Sequence, residues 1–325
     1  MKKVLLFILL ALPMIGWSQD DVEVTKMWKQ RHFKKTIPAG DYSGIAWLGG
    51  DLYAIADDKA KEDGFFVFRL TLDSVKGKIV AAENLGYRSS GLPNRDMEGI
   101  AFRPADHLIY ISGEKDNEAM EYTMEGQRTG RKLAMPEVMQ TARHNKGLES
   151  LTYNALTHRF WTTTESTLPC DGEQANSTNG VRNRLRIIEF DDSLNAVGEY
   201  FYTMEKPRSH KKAKWYAYGV SSLCALDDGR LLVLEREFFV PKGYIGSWVN
   251  HRIFVFEPNS GSKIEFAKWR TKLNLTARSF ANFEGMTLGP RLKDGLRTLL
   301  LVCDSQHQYK GKTKDWFKCI VFKEK

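Results

Sequence analysis

The chain has 325 residues, of which 27% are charged and 42% are hydrophobic, and its formal net charge is +8. This length excludes a small disulfide-stabilised module, and this composition is too apolar for a disordered chain. A mild excess of positive charge permits an anionic ligand but does not indicate a nucleic-acid-binding protein. We therefore expect a folded protein with a large core.

The first long apolar stretch lies at the very start of the chain. Two lysines precede the run Val4–Ile15, and the small residues Gly16 and Ser18 then precede a cleavage point before Gln19. This pattern predicts a secretory signal peptide over residues 1–18 and a single mature domain over residues 19–325. No cysteine lies near the cleavage point, so we expect an exported protein, periplasmic or extracellular, without a lipid anchor. No further stretch is apolar enough to span a membrane.

Five segments of the mature chain share one design, a short apolar run, a polar turn and a second apolar run that ends in acid. In chain order they are YSGIAWLGGDLYAIADD from Tyr42, MEGIAFRPADHLIYISGE from Met97, LESLTYNALTHRFWTTTES from Leu148, GVSSLCALDDGRLLVLERE from Gly219 and FEGMTLGPRLKDGLRTLLLVCDS from Phe283. Each segment predicts a β-hairpin, and one or two more β-rich runs follow each hairpin.

Four strands in each of five units predict an all-β fold, a β-propeller with five blades. The last unit has only three strands, so we expect the N-terminal segment 27–37 to supply its outer strand and close the ring. A degenerate sixth blade would have to lie in the insertions 169–184 or 205–218. A β-sandwich with accidental similarity between segments is the alternative architecture.

The four cysteines have no C-x-x-C spacing, so a zinc site is not predicted. Cys303 and Cys319 fall on neighbouring predicted strands and are the best pair for a disulfide, which export permits. Buried free thiols are the equal alternative.

In a propeller, the residue that opens the first strand of a blade meets the residue that closes the second strand, at one mouth of the central channel. The predicted openers are Ser43, Glu98, Glu149, Ser221 or Ser222, and Glu284. The predicted closers are Asp57 and Asp58, Glu114, Glu165, Glu235 or Glu237, and Asp304. Oxygen ligands in this number suit Ca²⁺, and the predicted metal ligands are Glu98, Glu149, Glu284, Asp57 and Asp304. The alternative is that these acids accept hydrogen bonds from loops between blades.

Basic side chains enter the same face of the predicted propeller. Arg95, Arg143, His144 and Arg278 precede first strands and are candidate contacts for an anionic substrate. Salt bridges between these bases and the glutamates of adjacent blades are the competing interpretation. The basic run 206–219 is interpreted as a solvated loop.

The motifs DMEGIAF (96–102), GLESLTY (147–153) and NFEGMTL (282–288), with YSGIAW near the start, resemble a family of secreted bacterial propellers with esterase-like activity that is related to phytase. The resemblance extends from about residue 36 to residue 322. It implies a propeller fold and hydrolysis of an ester or phosphate ester, assisted by calcium. Of the family's site residues, Glu98, Glu149 and Glu284 match motif positions.

Two functions of different class follow. The first is a metal-assisted esterase or phosphoesterase, expected to be a monomer that acts on a small anionic ester, with Glu114 or Glu165 as general base. The second is a non-catalytic propeller that uses the same mouth to bind a ligand or an envelope partner.

Overall fold

The structure is a computed structural model that describes residues 22–274, 278–311 and 313–324. The predicted signal peptide, residues 1–18, lies outside the described residues. Within the described ranges the regular structure is β-strand, apart from three short 3₁₀ helices at Glu137–Thr141, Pro169–Asp171 and Tyr309–Gly311.

The strands form five antiparallel sheets of four strands each, which are here called blades 1 to 5. Blade 1 contains β2 (Tyr42–Gly49), β3 (Leu52–Asp57), β4 (Glu62–Leu72) and β5 (Ile79–Pro93). Blade 2 contains β6 (Met97–Arg103), β7 (Leu108–Gly113), β8 (Glu118–Tyr122) and β9 (Arg128–Lys132). Blade 3 contains β10 (Leu148–Asn154), β11 (Arg159–Thr164), β12 (Arg184–Phe190) and β13 (Ala196–Thr203). Blade 4 contains β14 (Trp215–Ala225), β15 (Leu231–Val240), β16 (Ser247–Glu257) and β17 (Ser262–Leu273). Blade 5 contains β18 (Asn282–Leu288), β19 (Arg297–Asp304), β20 (Phe317–Glu324) and the N-terminal β1 (Val22–Met27).

The first strands of the blades contact one another in the cyclic order β2, β6, β10, β14, β18 and back to β2. Five sheets around one axis make a β-propeller, and the predicted five blades are confirmed. No sixth blade forms among the described residues, because the insertion 169–184 holds a 3₁₀ helix and loop, and 205–214 is loop that leads into β14.

The N-terminal strand supplies the outer strand of blade 5, as predicted, but it lies earlier in the chain than expected. The antiparallel partner of β20 is Val22–Met27, and the predicted segment 27–37 adds only Met27 and an isolated bridge between Arg31 and Phe317. The physical reason is that VEVTKM alternates apolar and polar residues, so that Val22 and Val24 pack on the core between blades 4 and 5.

The predicted disulfide between Cys303 and Cys319 is not formed, and all four cysteines are free. Cys319 lies opposite Leu300 in the pairing of β19 with β20, three residues from Cys303. Because an odd offset along a strand reverses the face, the two thiols point into different inter-blade cores.

A β-bulge recurs at the same position of every first strand. The pairing of the first two strands shifts by one residue at Ser43, Glu98, Glu149, Ser221 and Glu284. A bulge leaves the extra residue out of the ladder and re-aims its side chain. These five residues are the predicted openers, and the bulges direct them towards the axis.

The residue after each bulge is glycine or serine, because neighbouring first strands approach closely there. A Cβ on Gly44 would overlap the backbone oxygen of Glu98, and a Cβ on Gly99 would overlap the backbone of Leu151. In blades 3 and 4 the serines bridge the gap instead, since Ser150 Oγ accepts the backbone N–H of Leu223 at 2.6 Å. Small side chains at this position therefore set the spacing between blades.

We expect Gly99→Ala to destabilise the protein by about 1–3 kcal/mol, because the new methyl group must displace the backbone of blade 3. Gly243→Ala is the matched control, since a Cβ there meets nothing within 4 Å and the change should lie within about 0.5 kcal/mol of wild type. Urea denaturation of both variants measures the difference. Equal midpoints would contradict this account of blade spacing.

Candidate functional site

The five bulge residues form an inner ring at one mouth of the central channel. Glu98, Glu149 and Glu284 are buried, with 8%, 6% and 8% of their surface exposed. Ser43 and Ser221 instead donate hydrogen bonds to backbone oxygens of the next blade, at 2.6 Å and 3.3 Å. The inner ring therefore contains three carboxylates.

A second ring, here called the outer ring, lies where each second strand passes the bulge of the first strand. Each member comes one residue after the partner of the residue that precedes the bulge, and the pairing register gives the five as Asp58, Glu114, Glu165, Arg236 and Asp304. Four are acidic and were predicted as closers. The fifth is an arginine, where the sequence predicted Glu235 or Glu237.

Arg236 connects blades 3, 4 and 5. Its guanidinium donates to the carboxylates of Glu284 and Glu165, and it lies 3.7 Å from Glu149. Since the arginine is itself buried, these carboxylates supply the counter-charge that a buried cation requires. The tertiary structure thus places a cation of the protein among the predicted metal ligands.

Arg236 was not predicted at the channel, because the acids that end the second strands of the other blades pointed to Glu235 or Glu237 in blade 4. In β15, Arg236 lies between Glu235 and Glu237, and alternation sends it to the channel and the two glutamates to the other face. Counting the register from the bulge at Ser221 would have found it.

Glu235 and Glu237 hold the basic loop that precedes β14. Glu235 accepts the backbone N–H of Glu205, and Glu237 accepts the backbone N–H groups of Arg208 and Ser209. Both acids therefore act as loop anchors, which corrects their prediction as channel closers.

Glu165 lies between two cations, because Lys146 from the entry of blade 3 also donates to it. Burial by itself would raise the pKa of Glu165, but Lys146 and Arg236 lower it below its ordinary value. Glu165 is therefore a stable carboxylate anion at neutral pH.

Glu98 has the opposite environment. Among the residues that the structure describes, no donor makes a hydrogen bond or ion pair with its carboxylate. Burial raises the pKa of Glu98 well above 4.5, and the neighbouring carboxylates of Glu149 and Asp58 raise it further. A buried carboxylate without a partner requires either a proton or a cation.

The pKa values of Glu114 and Asp58 are raised, like that of Glu98 and unlike that of Glu165. Burial raises the pKa of Glu114, although its carboxylate accepts the backbone N–H of Gly147 at 3.1 Å. Burial and the charge of Asp304 raise the pKa of Asp58 to about 8, despite its ion pair with Lys59 at 2.8 Å. Burial also raises the pKa values of Glu149 and Glu284 well above 4.5, although Arg236 opposes the rise. Glu165, between Arg236 and Lys146, is thus an ionised carboxylate beside several acids that hold their protons to higher pH.

The other two predicted metal ligands already have partners. Asp57 accepts the backbone N–H groups of Asp41 and Lys59 at 3.4 Å and 3.1 Å. Asp304 accepts the backbone N–H of Gln306 at 2.6 Å and contacts the side-chain amide of Asn282 at 3.4 Å. Within the described ranges, no group of three or more His, Cys, Asp or Glu side chains is arranged to hold a metal ion.

The structure does not bring the four predicted substrate contacts together. Arg95 is buried and donates to both carboxylate oxygens of Asp116, at 2.6 Å and 2.8 Å. Arg143 donates to the backbone oxygen of Gly172 at 3.4 Å, and His144 is exposed. Arg278 is exposed beside the end of β17. Because Arg95 already donates its N–H groups to Asp116, they are not available to a substrate.

A five-bladed propeller with carboxylates around one channel mouth is the class of protein that these observations define. The family model described as "Phytase-like: Esterase-like activity of phytase" matches residues 37–306. The chain therefore belongs to the phytase-like family, and the resemblance inferred from its motifs is confirmed.

Comparison with solved structures gives only distant likenesses. A tail fibre of Staphylococcus aureus phage P68 has 11% identity and a TM-score of 0.45, covering 93% of this chain and 52% of that chain. Virginiamycin B lyase from Staphylococcus aureus has 11% identity and a TM-score of 0.38, covering 91% and 99%. Hydrazine synthase from Kuenenia stuttgartiensis has 10% identity and a TM-score of 0.39, covering 82% of this chain and only 57% of that chain. No curated protein matches the sequence.

No helix within the described residues has the length and apolar character needed to cross a membrane.

Glu98 is expected to destabilise the folded protein as the pH rises. The unfolded chain ionises Glu98 near pH 4.5, whereas the folded protein holds the proton to higher pH. Between these two pKa values the folded state binds more protons, so stability falls with rising pH. Glu98→Gln removes this titration, and we expect the fall in Tm between pH 5 and pH 8 to be smaller than in wild type.

The control for this measurement is Glu83→Gln, at a surface carboxylate with 56% of its side chain exposed. This variant should keep the wild-type pH dependence of Tm. If the Tm of Glu98→Gln falls between pH 5 and pH 8 as much as the Tm of wild type, ionisation of Glu98 does not destabilise the folded protein.

Proposed function

We propose that this protein hydrolyses an anionic carboxyl or phosphate ester at the acidic channel mouth. The observation that carries the proposal is Glu98, a buried carboxylate without a partner and with a raised pKa, at the centre of a propeller of the phytase-like family. Perturbed acids of this kind concentrate at functional sites, since their burial brings no stability. Export through residues 1–18 would place this activity in the periplasm or outside the cell.

The environments of the two candidate general bases favour Glu114 over Glu165. A general base works best when its pKa lies near the operating pH, and burial moves Glu114 in that direction. Glu165 is held by Lys146 and Arg236, so its lone pairs are engaged and its basicity is low. Glu165 instead positions Arg236.

Calcium remains part of the proposal, with Glu98, Glu149 and Glu284 as the side chains that would hold it. The donor chemistry fits, because these are carboxylates and Glu98 has no protein partner, but in the described structure the three side chains are not grouped around one point and would have to rearrange to hold an ion. Bound calcium would supply charge neutralisation for the ester and a more acidic water. Arg236 competes for two of the three ligands, since it pairs with Glu284 and lies near Glu149.

The anionic group of the substrate requires a donor at the mouth. Arg143, His144 and Arg278 remain proposals for this role, and Arg95 is a weaker one because Asp116 holds it. Arg236 lies at the centre of the site, but Glu165 and Glu284 already hold its guanidinium, so it is a weaker candidate for the same reason as Arg95.

Glu98→Gln is expected to lower kcat/KM at least 100-fold on the best substrate of a carboxyl- and phosphate-ester panel. Glu83→Gln should retain wild-type activity, because its carboxylate lies at the surface of blade 1. Full activity of the folded Glu98→Gln protein would remove Glu98 from the reaction.

Arg236→Met tests the competition between arginine and calcium. Removing the cation leaves the buried Glu284 without its ion-pair partner and Glu165 with Lys146 alone, which costs about 3–5 kcal/mol. We expect a lower Tm in EDTA and a Tm that calcium raises more in Arg236→Met than in wild type. A calcium response equal to that of wild type would contradict calcium binding at these carboxylates.

The alternative function is a binding propeller without catalysis. The ion pairs of Arg236 favour it, because they complete part of the site without any ligand. Two results together would support the binding function. No ester of the panel would be hydrolysed, and a pull-down would recover one stable partner that contacts the channel mouth.

A further inference from the structure

Three loops on the mouth face form a second feature of the molecule, here called the basic loop surface. Its described residues are 206–215 before and at the start of β14, 241–246 between β15 and β16, and 305–311 with 313–314 between β19 and β20. Connections of these two kinds emerge on the face where the first strands begin. The surface therefore lies beside the acidic mouth but is separate from it.

The basic loop surface accounts for the net positive charge of the protein. By sequence, the three loops contain nine Lys and Arg residues and no Asp or Glu. The chain has a net charge of +8, so all other residues together have a net charge of −1. A charge distribution of this kind creates a local positive field that attracts anionic surfaces.

The same loops expose apolar side chains at their tips. Trp215 is 44% exposed, Ile245 is 59% exposed and Tyr309 is 37% exposed. Other large exposed apolar residues of the described chain, such as Leu156 and Val75, lie on separate turns. Clustering of three on one charged surface indicates an interaction site.

Contacts between the loops hold these tips together. The rings of Trp215 and Tyr244 are 5.3 Å apart, and Tyr244 shares a hydrogen bond with Tyr309 of the neighbouring blade. The ammonium group of Lys214 lies 4.1 Å from the Trp215 ring and donates to the Tyr244 hydroxyl at 3.2 Å. Aromatic rings and a lysine therefore form one continuous patch.

The patch rests on a fixed base. Glu237 accepts backbone N–H groups from Arg208 and Ser209, and the backbone N–H of Lys214 donates to Val240 at 2.7 Å. Tyr244 packs on the small apolar cluster of Val240 and Val249. A surface that is held in place before binding loses less conformational entropy when it binds.

We propose that the basic loop surface docks the protein on an anionic phospholipid bilayer. Lysines alone would suit any polyanion, but the exposed side chain of Ile245 gains nothing from a soluble polyanion. Aliphatic and aromatic tips beside lysines are the combination that the interface of an anionic membrane binds, with the tips among the headgroups and the ammonium groups on the phosphates. Docking would turn the acidic mouth towards esters at or near that membrane.

The test is co-sedimentation of the secreted chain with vesicles of phosphatidylglycerol and phosphatidylcholine, against vesicles of phosphatidylcholine alone. We expect binding at least tenfold tighter to the anionic vesicles, and weaker binding as salt increases. Equal binding to both vesicles, or none to either, would overturn the proposal.

Two variants separate the charge from the apolar tips. Lys211→Glu with Lys212→Glu, and separately Ile245→Ser, should each weaken binding to anionic vesicles at least fivefold. The matched controls are Lys34→Glu with Lys35→Glu, and Leu156→Ser at 68% exposure, which lie outside the three loops and should bind as wild type. Equal losses in variants and controls would show that net charge, and not this surface, drives the binding.

A soluble polyanion separates the lipid from other anions. If polyphosphate chains without vesicles bind as tightly as the vesicles do, and Ile245→Ser does not weaken that binding, the surface is a polyanion site and the lipid proposal is wrong. Glu98→Gln should bind anionic vesicles as wild type does, so failure of the ester hydrolysis and failure of the docking are distinguishable.

Discussion

The close approach of five first strands around one axis is the constraint on which the rest of the structure depends. Not even a Cβ atom fits between Gly44 and Glu98 or between Gly99 and Leu151. The bulge before each small residue then turns one side chain per blade to the channel. Spacing between blades and the position of the carboxylates are therefore two results of the same local geometry.

The burial and mutual repulsion of these carboxylates cost free energy, and the protein compensates for this at some of them but not at others. Arg236 and Lys146 lower the pKa of Glu165, which stays ionised. Glu98 and Asp58 have raised pKa values, and burial keeps those of Glu149 and Glu284 raised as well, although Arg236 lies beside them. The mouth therefore has fixed ion pairs around Arg236, and Glu98 remains open to a proton, a cation or a substrate.

The mouth face also separates charge on a larger scale. Acids lie at the axis, fixed by strand ends, and the excess lysines lie on loops where water solvates them. Buried acids such as Glu235 and Glu237 connect the two regions, because they bind the backbone of the loop that carries five of the cations. Loops on a rigid propeller can thus present a surface without moving the site beside it.

The sequence by itself determined the repeat, the five blades, the closure by an N-terminal strand and the position of Glu98, Glu149 and Glu284, because hairpin patterns and turn residues are local. Pairing register decided the rest. It placed Arg236 rather than Glu235 or Glu237 at the channel, moved the closing strand to Val22–Met27, and separated Cys303 from Cys319. A shift of one residue reverses the face of a strand, and only the bulges and contacts of the folded sheets fix that shift.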